Sequence, residues 1–358
     1  MARPTKINKK IVFFFAFFAA TLQAQHLGVY HWAGAVASLS HAEADLSRFP
    51  VDTIRIFLGG KYDYEHPENS PDRFAGVPTP LTLSAIVALP RYRALFDDRK
   101  IQTVWLTTYP VFNYGKGPVE IDLTRNVPEA EWRQESAQMA ELVEWLYREY
   151  GSQAKVVLIS NNETDEKLRQ VGDAPRIAKD LAVRMTAVAQ ARAKFPDAKL
   201  KVFFGAEIKL WHLALPDGRR ALEAILPLIH YDFVSFSAWE MVSNPALLSR
   251  ALEDINLRTS ANLTAEGRRS FANHHVLIGE FGHAREWTLP IEATLKPFLD
   301  ALASQKTPYA VYWQMYDNAA GETRRFGLLD ENDHLTLEGA AIGKMYPPVR
   351  LRSAQGKP

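Results

Sequence analysis

Two glutamates close two apolar, strand-like runs. Glu163 follows Val156-Val157-Leu158-Ile159-Ser160-Asn161-Asn162, and Glu280 follows His275-Val276-Leu277-Ile278-Gly279 and precedes Phe281-Gly282. A carboxylate at the C-terminal end of a buried parallel strand packs poorly and is well placed for chemistry. Two of them facing one cleft can divide the work of breaking a glycosidic bond. One protonates the leaving oxygen; the other attacks the sugar carbon.

The elements that must position them alternate in type. Short β-branched or aromatic runs predict strands over His26–Tyr30, Thr53–Leu58, Gln102–Thr107, Lys155–Ser160, Lys201–Gly205, Phe233–Ser237, His275–Gly279 and Ala310–Gln314. Several are almost continuously apolar, as parallel strands buried on both faces are. Helical patterns lie between them. The clearest spans about Glu131 to Tyr150, with Met139, Leu142, Val143, Leu146, Tyr147 and Tyr150 on one face and Gly151 as its stop. Another begins near Asp173, with Pro175 in its first turn, and ends before Pro196; a third covers roughly Leu289 to Ser304. Eight strands alternating with helices predict the α/β class and a single (β/α)8 TIM barrel. With no internal repeat and no Ser/Gly linker, one domain is expected over 25–350, followed by a disordered tail at 351–358.

Three connections are long: Gly59–Thr82, Tyr109–Ala130 and Tyr316–Thr336. All follow strands, so they belong at the C-terminal face, where barrels build their active sites. Their aromatics, Tyr62, Tyr64, Phe74, Phe112 and Tyr114 among them, either stack on the apolar faces of sugar rings or pin the loops down.

In strand order, Arg55 lies on the second run, Asn162-Glu163 ends the fourth, Glu280 ends the seventh and Trp313 lies on the eighth. With these residues the chain resembles the clan of retaining (β/α)8 glycoside hydrolases to which cellulases, mannanases and β-galactosidases belong, as a divergent member. The resemblance implies Glu163 as acid/base and Glu280 as nucleophile. It also implies that Asn162 bonds the sugar 2-hydroxyl and that Trp313 floors the sugar being cleaved. Arg55 is the cation expected to keep Glu280 charged; its alternative is a structural ion pair inside the barrel. Trp239, Tyr109 and Trp32 join Arg55, Asn162 and Trp313 as expected substrate-binding residues. The chain departs from the clan twice. Thr164 stands where Pro is frequent, and Ser235-Phe236-Ser237-Ala238-Trp239-Glu240 lacks the His-x-Tyr pair whose Tyr bonds the nucleophile. Tyr30, Tyr109 or Tyr316 are candidates for that hydroxyl. Glu207, Glu240, His31 and His283 also fall near strand ends, either lining the cleft or ion-paired and structural.

The composition narrows the class. Arg3, Lys6, Lys9 and Lys10 precede the apolar run Ile11–Leu22, and Leu22-Gln23-Ala24 precedes Gln25. This pattern predicts a signal peptide over 1–24, cut after Ala24, with an uncleaved anchor as the alternative. Cleavage removes four positive charges and takes the formal balance from +1 to −3. A secreted or periplasmic protein follows, probing no nucleic acid and holding no stable membrane association after cleavage. Without cysteine, disulfides, thiolate catalysis and Cys-ligated zinc are excluded. No His/Asp/Glu spacing matches a metal motif, so no metal and no cofactor are expected. The expected partner is a polysaccharide or oligosaccharide substrate of a monomeric enzyme. A non-catalytic carbohydrate-binding barrel, a metal-dependent hydrolase and a transglycosylase are the other readings open at this point.

Overall fold

A computed structural model of the chain describes residues 26–31, 39, 42–59, 82–113, 118–212, 219–271, 274–317 and 324–345. The predicted signal peptide, the tail, Trp32, Tyr62, Tyr64, Phe74 and Tyr114 lie outside these. Eight strands form one closed parallel barrel: β1 His26–Tyr30, β2 Thr53–Gly59, β3 Thr103–Tyr109, β4 Val156–Ser160, β5 Lys201–Ile208, β6 Phe233–Ser237, β7 Val276–Phe281 and β8 Tyr309–Tyr312. Each pairs with its sequence neighbours, and β1 closes the ring against β8 from His26↔Tyr309 to Val29↔Tyr312. The expected (β/α)8 barrel is therefore the fold.

The interleaved helices among the described residues are α1 Ala42–Ser47, α2 Leu83–Val87, α3 Pro90–Asp97, α4 Glu129–Tyr150, α5 Thr164–Val171, α6 Ala174–Ala193, α7 Ala221–Ala224, α8 Pro245–Thr259, α9 Ala265–Phe271, α10 Ile291–Ser304 and α11 Leu337–Met345. None of these is long and apolar enough to cross a membrane. The apolar face expected on α4 is buried from Met139 to Tyr150, and the Gly151 N–H closes the helix on the Tyr147 carbonyl at 2.9 Å.

Alternation along the strands sorts two cores. Ile54, Ile56 and Leu58 of β2, and Val157 and Ile159 of β4, pack outward against the helices. Tyr30, Trp105, Leu158, Phe203, Phe233 and Leu277 fill the barrel interior. Paired residues across strands keep the same face: Arg55 beside Trp105, Trp105 beside Leu158, Leu158 beside Phe203 and Ser235 beside Leu277.

One strand breaks phase. Phe236 pairs with Ile278, but the next pair is Ser237 with Glu280, so β7 carries one extra residue, Gly279. Without that bulge, strict alternation from Leu277 would turn Glu280 outward to the helices; with it, Glu280 lies beside the inward Ser237. Only glycine fits here. A Cβ on Gly279 would overlap Ser235 Oγ and stand 2.5 Å from Arg55 Nη1 and 2.9 Å from Glu207 Oε2.

The strand limits differ from the sequence expectation where polar residues continue the pleat. β5 extends past Gly205 to Ile208 and takes Glu207 into the barrel wall. β7 runs through Glu280, while β8 stops at Tyr312 and leaves Trp313 just beyond it. The connection after β3 carries a short antiparallel hairpin, Phe112–Asn113 with Pro118–Val119.

Candidate active site

The two glutamates sit at the C-terminal ends of β4 and β7. Glu163 occupies the turn into α5, with φ of 20° and ψ of 80°. The buried Asn161 shapes that turn. Its Nδ2 donates to the Asn162 carbonyl and to Thr164 Oγ1, both at 2.9 Å, and its Oδ1 accepts from the Glu207 N–H at 3.0 Å. The ends of β4 and β5 are thereby tied together. Asn162 itself is half-buried beside Glu163.

Beneath the glutamates lies a buried polar cluster. Arg55 Nη2 meets Glu207 Oε2 at 2.5 Å, and Nη1 stands 3.7 Å from Glu280 Oε1. Arg55 Nε donates to Thr107 Oγ1 at 3.0 Å, an oxygen that also accepts from Tyr30 OH at 3.1 Å. The guanidinium lies over the rings of Tyr30 and Trp105, 4.8 and 5.0 Å from their centroids, a cation–π setting. Ser235 Oγ and Ser237 Oγ donate to Glu207 at 2.6 and 3.3 Å. Glu207 is thus fully ion-paired and hydrogen-bonded, as buried charges must be.

This arrangement revises two expectations. Arg55, expected to contact substrate and to hold Glu280 charged, is 0% exposed, and its closest anion is Glu207. Burial therefore prevails at Glu280: it pushes the carboxyl up to about 8, Arg55 opposes the rise, and the charges of Glu207 and Glu163 add to it. Two of the three candidate hydroxyls for Glu280 are engaged elsewhere. Tyr30 bonds Thr107, and Tyr316 OH donates to Asp45 Oδ2 at 2.7 Å. Tyr109 stacks on Phe57 at 5.5 Å. The indole N–H of Trp239 takes the position instead, donating to Glu280 Oε2 at 3.2 Å. Trp239, expected as a sugar platform, thus also holds the carboxylate.

Glu163 has its own cation. Lys209 Nζ lies 3.1 Å from Oε1 and 3.2 Å from Oε2. Asp165, buried in the first turn of α5, fixes the lysine's backbone: its Oδ2 accepts from the N–H groups of Lys209, at 2.9 Å, and of Leu210. Burial raises the Glu163 carboxyl above the ordinary carboxylate range; Lys209 pulls it down, and Glu207 pushes it up. Three carboxylates, Glu163, Glu207 and Glu280, thus face two cations, Arg55 and Lys209. The low-dielectric neutral state of that set holds one proton.

Trp313 is half-buried beside this cluster, edge-on to Tyr30 at 4.7 Å and to Trp239 at 6.2 Å. The other residues singled out from sequence are structural or peripheral. His31 is buried; its Nδ1 accepts from the Leu39 N–H at 3.1 Å, which leaves the Nε2 hydrogen to face Asp45 at 3.4 Å. Glu240 pairs with His212 at 2.9 Å. His283 is buried, with Nε2 3.1 Å from the Leu289 carbonyl.

Of the two readings open for Glu207 in the sequence, the ion-paired one holds, with Arg55 as partner, while the contacts of Lys209, Asn161 and Asp165 were not foreseen. Glu207 had a signal: Phe203, Gly205 and Glu207 share one phase of the pleat. Lys209 had none.

No protein-family profile and no curated protein matches the chain. Solved structures do. GH5_18 from Streptomyces cattleya, in complex with GlcNAc, superposes with a TM-score of 0.56 at 12% identity, covering 94% of this chain and 83% of that one. A glucosidase from Croceicoccus marinus gives 0.54 at 13%, covering 90% and 67%. A family 39 glycoside hydrolase from the gut symbiont Bacteroides cellulosilyticus gives 0.52 at 14%, covering 91% and 64%. The shared property is the barrel. At such identities it is the fold that the chain has in common with these glycoside hydrolases, and its own side chains must carry the chemistry. It spans about two thirds of the length of the latter two.

Proposed function

We propose that the protein is a secreted retaining glycoside hydrolase that cleaves β-linked sugars by double displacement. The observation that carries this reading is the differing environment of two carboxylates at the ends of β4 and β7. Glu163 is half-buried beside a lysine; Glu280 is buried over an arginine and held by an indole N–H.

Burial holds the Glu280 carboxyl at about 8, so the first step runs from the form in which Glu280 is ionised and Glu163 carries the cluster's proton. That proton passes to the glycosidic oxygen as a Glu280 oxygen attacks the anomeric carbon. The carbon–oxygen bond to the leaving group breaks, the aglycone departs as an alcohol, and a glycosyl ester forms on Glu280. Forming the ester removes a negative charge from the cluster, which favours the ionised state of Glu163. In the second step Glu163 takes a proton from water, the water oxygen attacks the same carbon, and Glu280 leaves as a carboxylate. Arg55 Nη1 and the Trp239 N–H stabilise that carboxylate as it departs. Asn162 and Trp313 contact the reacting sugar in this reading. The neighbours' common occupation with sugars supports it, as does the Trp239 bond, which gives Glu280 the donor that the absent strand-six Tyr would otherwise supply.

The test is hydrolysis of a panel of β-linked oligosaccharides and 4-nitrophenyl β-glycosides. Glu163→Gln and Glu280→Gln should each lower kcat about 10²–10⁴-fold or more. A 2-fluoro glycoside should label Glu280, read by peptide mass spectrometry. Near-normal turnover by both variants, or a label on another residue, would overturn the assignment.

A further inference from the structure

A cavity of about 430 Å³ opens between the loops that follow β6 and β7, and Trp239 forms one of its walls. Its volume falls in the range of small-ligand sites, about 300–1,000 Å³. Trp287 lines it as well, with Glu240, Glu286 and Ser243 among the polar groups around it. We propose that this cavity binds a neutral sugar unit adjoining the one being cleaved, so that the preferred substrate is an oligosaccharide rather than a simple monoglycoside. The inference rests on the proposed hydrolase reading and adds a site to it.

Three observations carry it. First, the wall is shared. The Trp239 N–H holds Glu280, so a ring resting on that indole adjoins the reacting carbon's nucleophile. Second, the other aromatic wall is fixed before any ligand arrives. Trp287 packs edge-on to His283 at 5.2 Å, its backbone N–H bonds the Ala284 carbonyl at 2.9 Å, and His283 is anchored to the Leu289 carbonyl. Two indoles offer apolar surface to the C–H face of a pyranose without loss of side-chain freedom. Third, the polar groups are carboxylate acceptors already engaged by neighbouring side chains. Glu240 is paired with His212, and Glu286 accepts from Arg325 Nε at 2.8 Å. Their free lone pairs suit hydroxyl donors. Arg325 beside Glu286 gives little reason to hold a cation there, and the carboxylate sign disfavours an anionic sugar.

The probes are β-1,4-linked gluco- and manno-tetraoses and the matching 4-nitrophenyl monoglycosides. Binding is measured by calorimetry on the full-length Glu280→Gln protein, which holds substrate without turning it over, with and without Trp287→Ala. Hydrolysis is measured on the wild type and on Trp287→Ala. Loss of the indole should weaken tetraose binding roughly tenfold and raise the tetraose KM by a similar factor. The aryl monoglycoside should lose several-fold less. Equal losses on both substrates, or no loss on either, would overturn the subsite. If a tetraose binds but is never cleaved, the hydrolase reading fails and the Trp287→Ala affinity still decides the subsite. If neither tetraose binds, the subsite is refuted, while cleavage of the monoglycoside would leave the hydrolase reading standing. Trp287→Phe keeps an apolar face and should restore much of the affinity; failure to do so would point to a merely structural indole.

Discussion

At the scale of single residues, the cluster sets chemical need against stability. Glu280 is raised to about 8 in the folded protein, against about 4.5 for an unperturbed glutamate. Between those values the native state binds more protons than the unfolded chain, so stability falls as pH rises through that window. Glu280→Gln removes the titration and keeps the shape. The variant should be more thermostable than the wild type at pH 8 to 9, by on the order of a few kcal/mol, with the gain fading as pH drops toward 4.5. Thermal melts across pH would show it; a gain that grew toward acid pH would contradict the raised value. Lys209 acts on the other carboxylate. It lowers the Glu163 pKa by charge and hydrogen bond, so Lys209→Met should raise that pKa and shift the alkaline limb of the kcat/KM profile to higher pH. The second step, which needs Glu163 as a base, should be less favoured at low pH. An unmoved profile would confine Lys209 to packing.

At the scale of elements, the barrel was legible because alternation and apolar runs report burial directly. The eight runs, their order and the ordinals of Glu163 and Glu280 all came from that signal. The inward aim of Glu280 did not. It depends on one extra residue in β7, and a glycine inside an apolar run reads equally as a weak strand residue or a bulge. The Trp239 contact was illegible for a related reason: it arises from a short 3-10 turn, Trp239–Met241, whose side-chain direction no periodicity encodes. Lys209 reaches Glu163 because Asp165 captures the backbone after β5, a contact 44 residues apart in sequence. Gly279→Ala tests the bulge. Its methyl group would push into Ser235, Arg55 and Glu207, so the Arg55–Glu207 pair must shift or the strand must slip. Overpacking of this kind costs about 1–3 kcal/mol, and loss of the buried pair would add to it. Urea unfolding should give a lower midpoint, and kcat should fall further than stability alone explains. A variant with wild-type stability and kcat would show that the site tolerates a side chain.

At the scale of the whole molecule, closure of the barrel joins its first strand to its last. The seam is built from β1: the His26 N–H bonds the Pro308 carbonyl at 3.0 Å, the His26 ring stacks on Tyr309 at 4.7 Å, and Nδ1 meets Asp52 at 2.7 Å. Tyr30, at the other end of the strand, packs against Arg55 and Trp313 in the candidate site. The proposed signal cleavage after Ala24 falls just short of this seam, whereas a cut after Tyr30 would open it. A chain beginning at Gln25 should therefore unfold in one cooperative transition and hydrolyse substrate, and intact-mass analysis of exported protein should find that N-terminus. A chain beginning at His31 loses the hydrogen-bond ladders of β1 to both β2 and β8 and leaves two raw sheet edges, so it should aggregate or expose apolar surface. An exported, active form that lacks His26 to Tyr30 would show that neither the seam nor Tyr30 is needed, and would remove β1 from the account of the site.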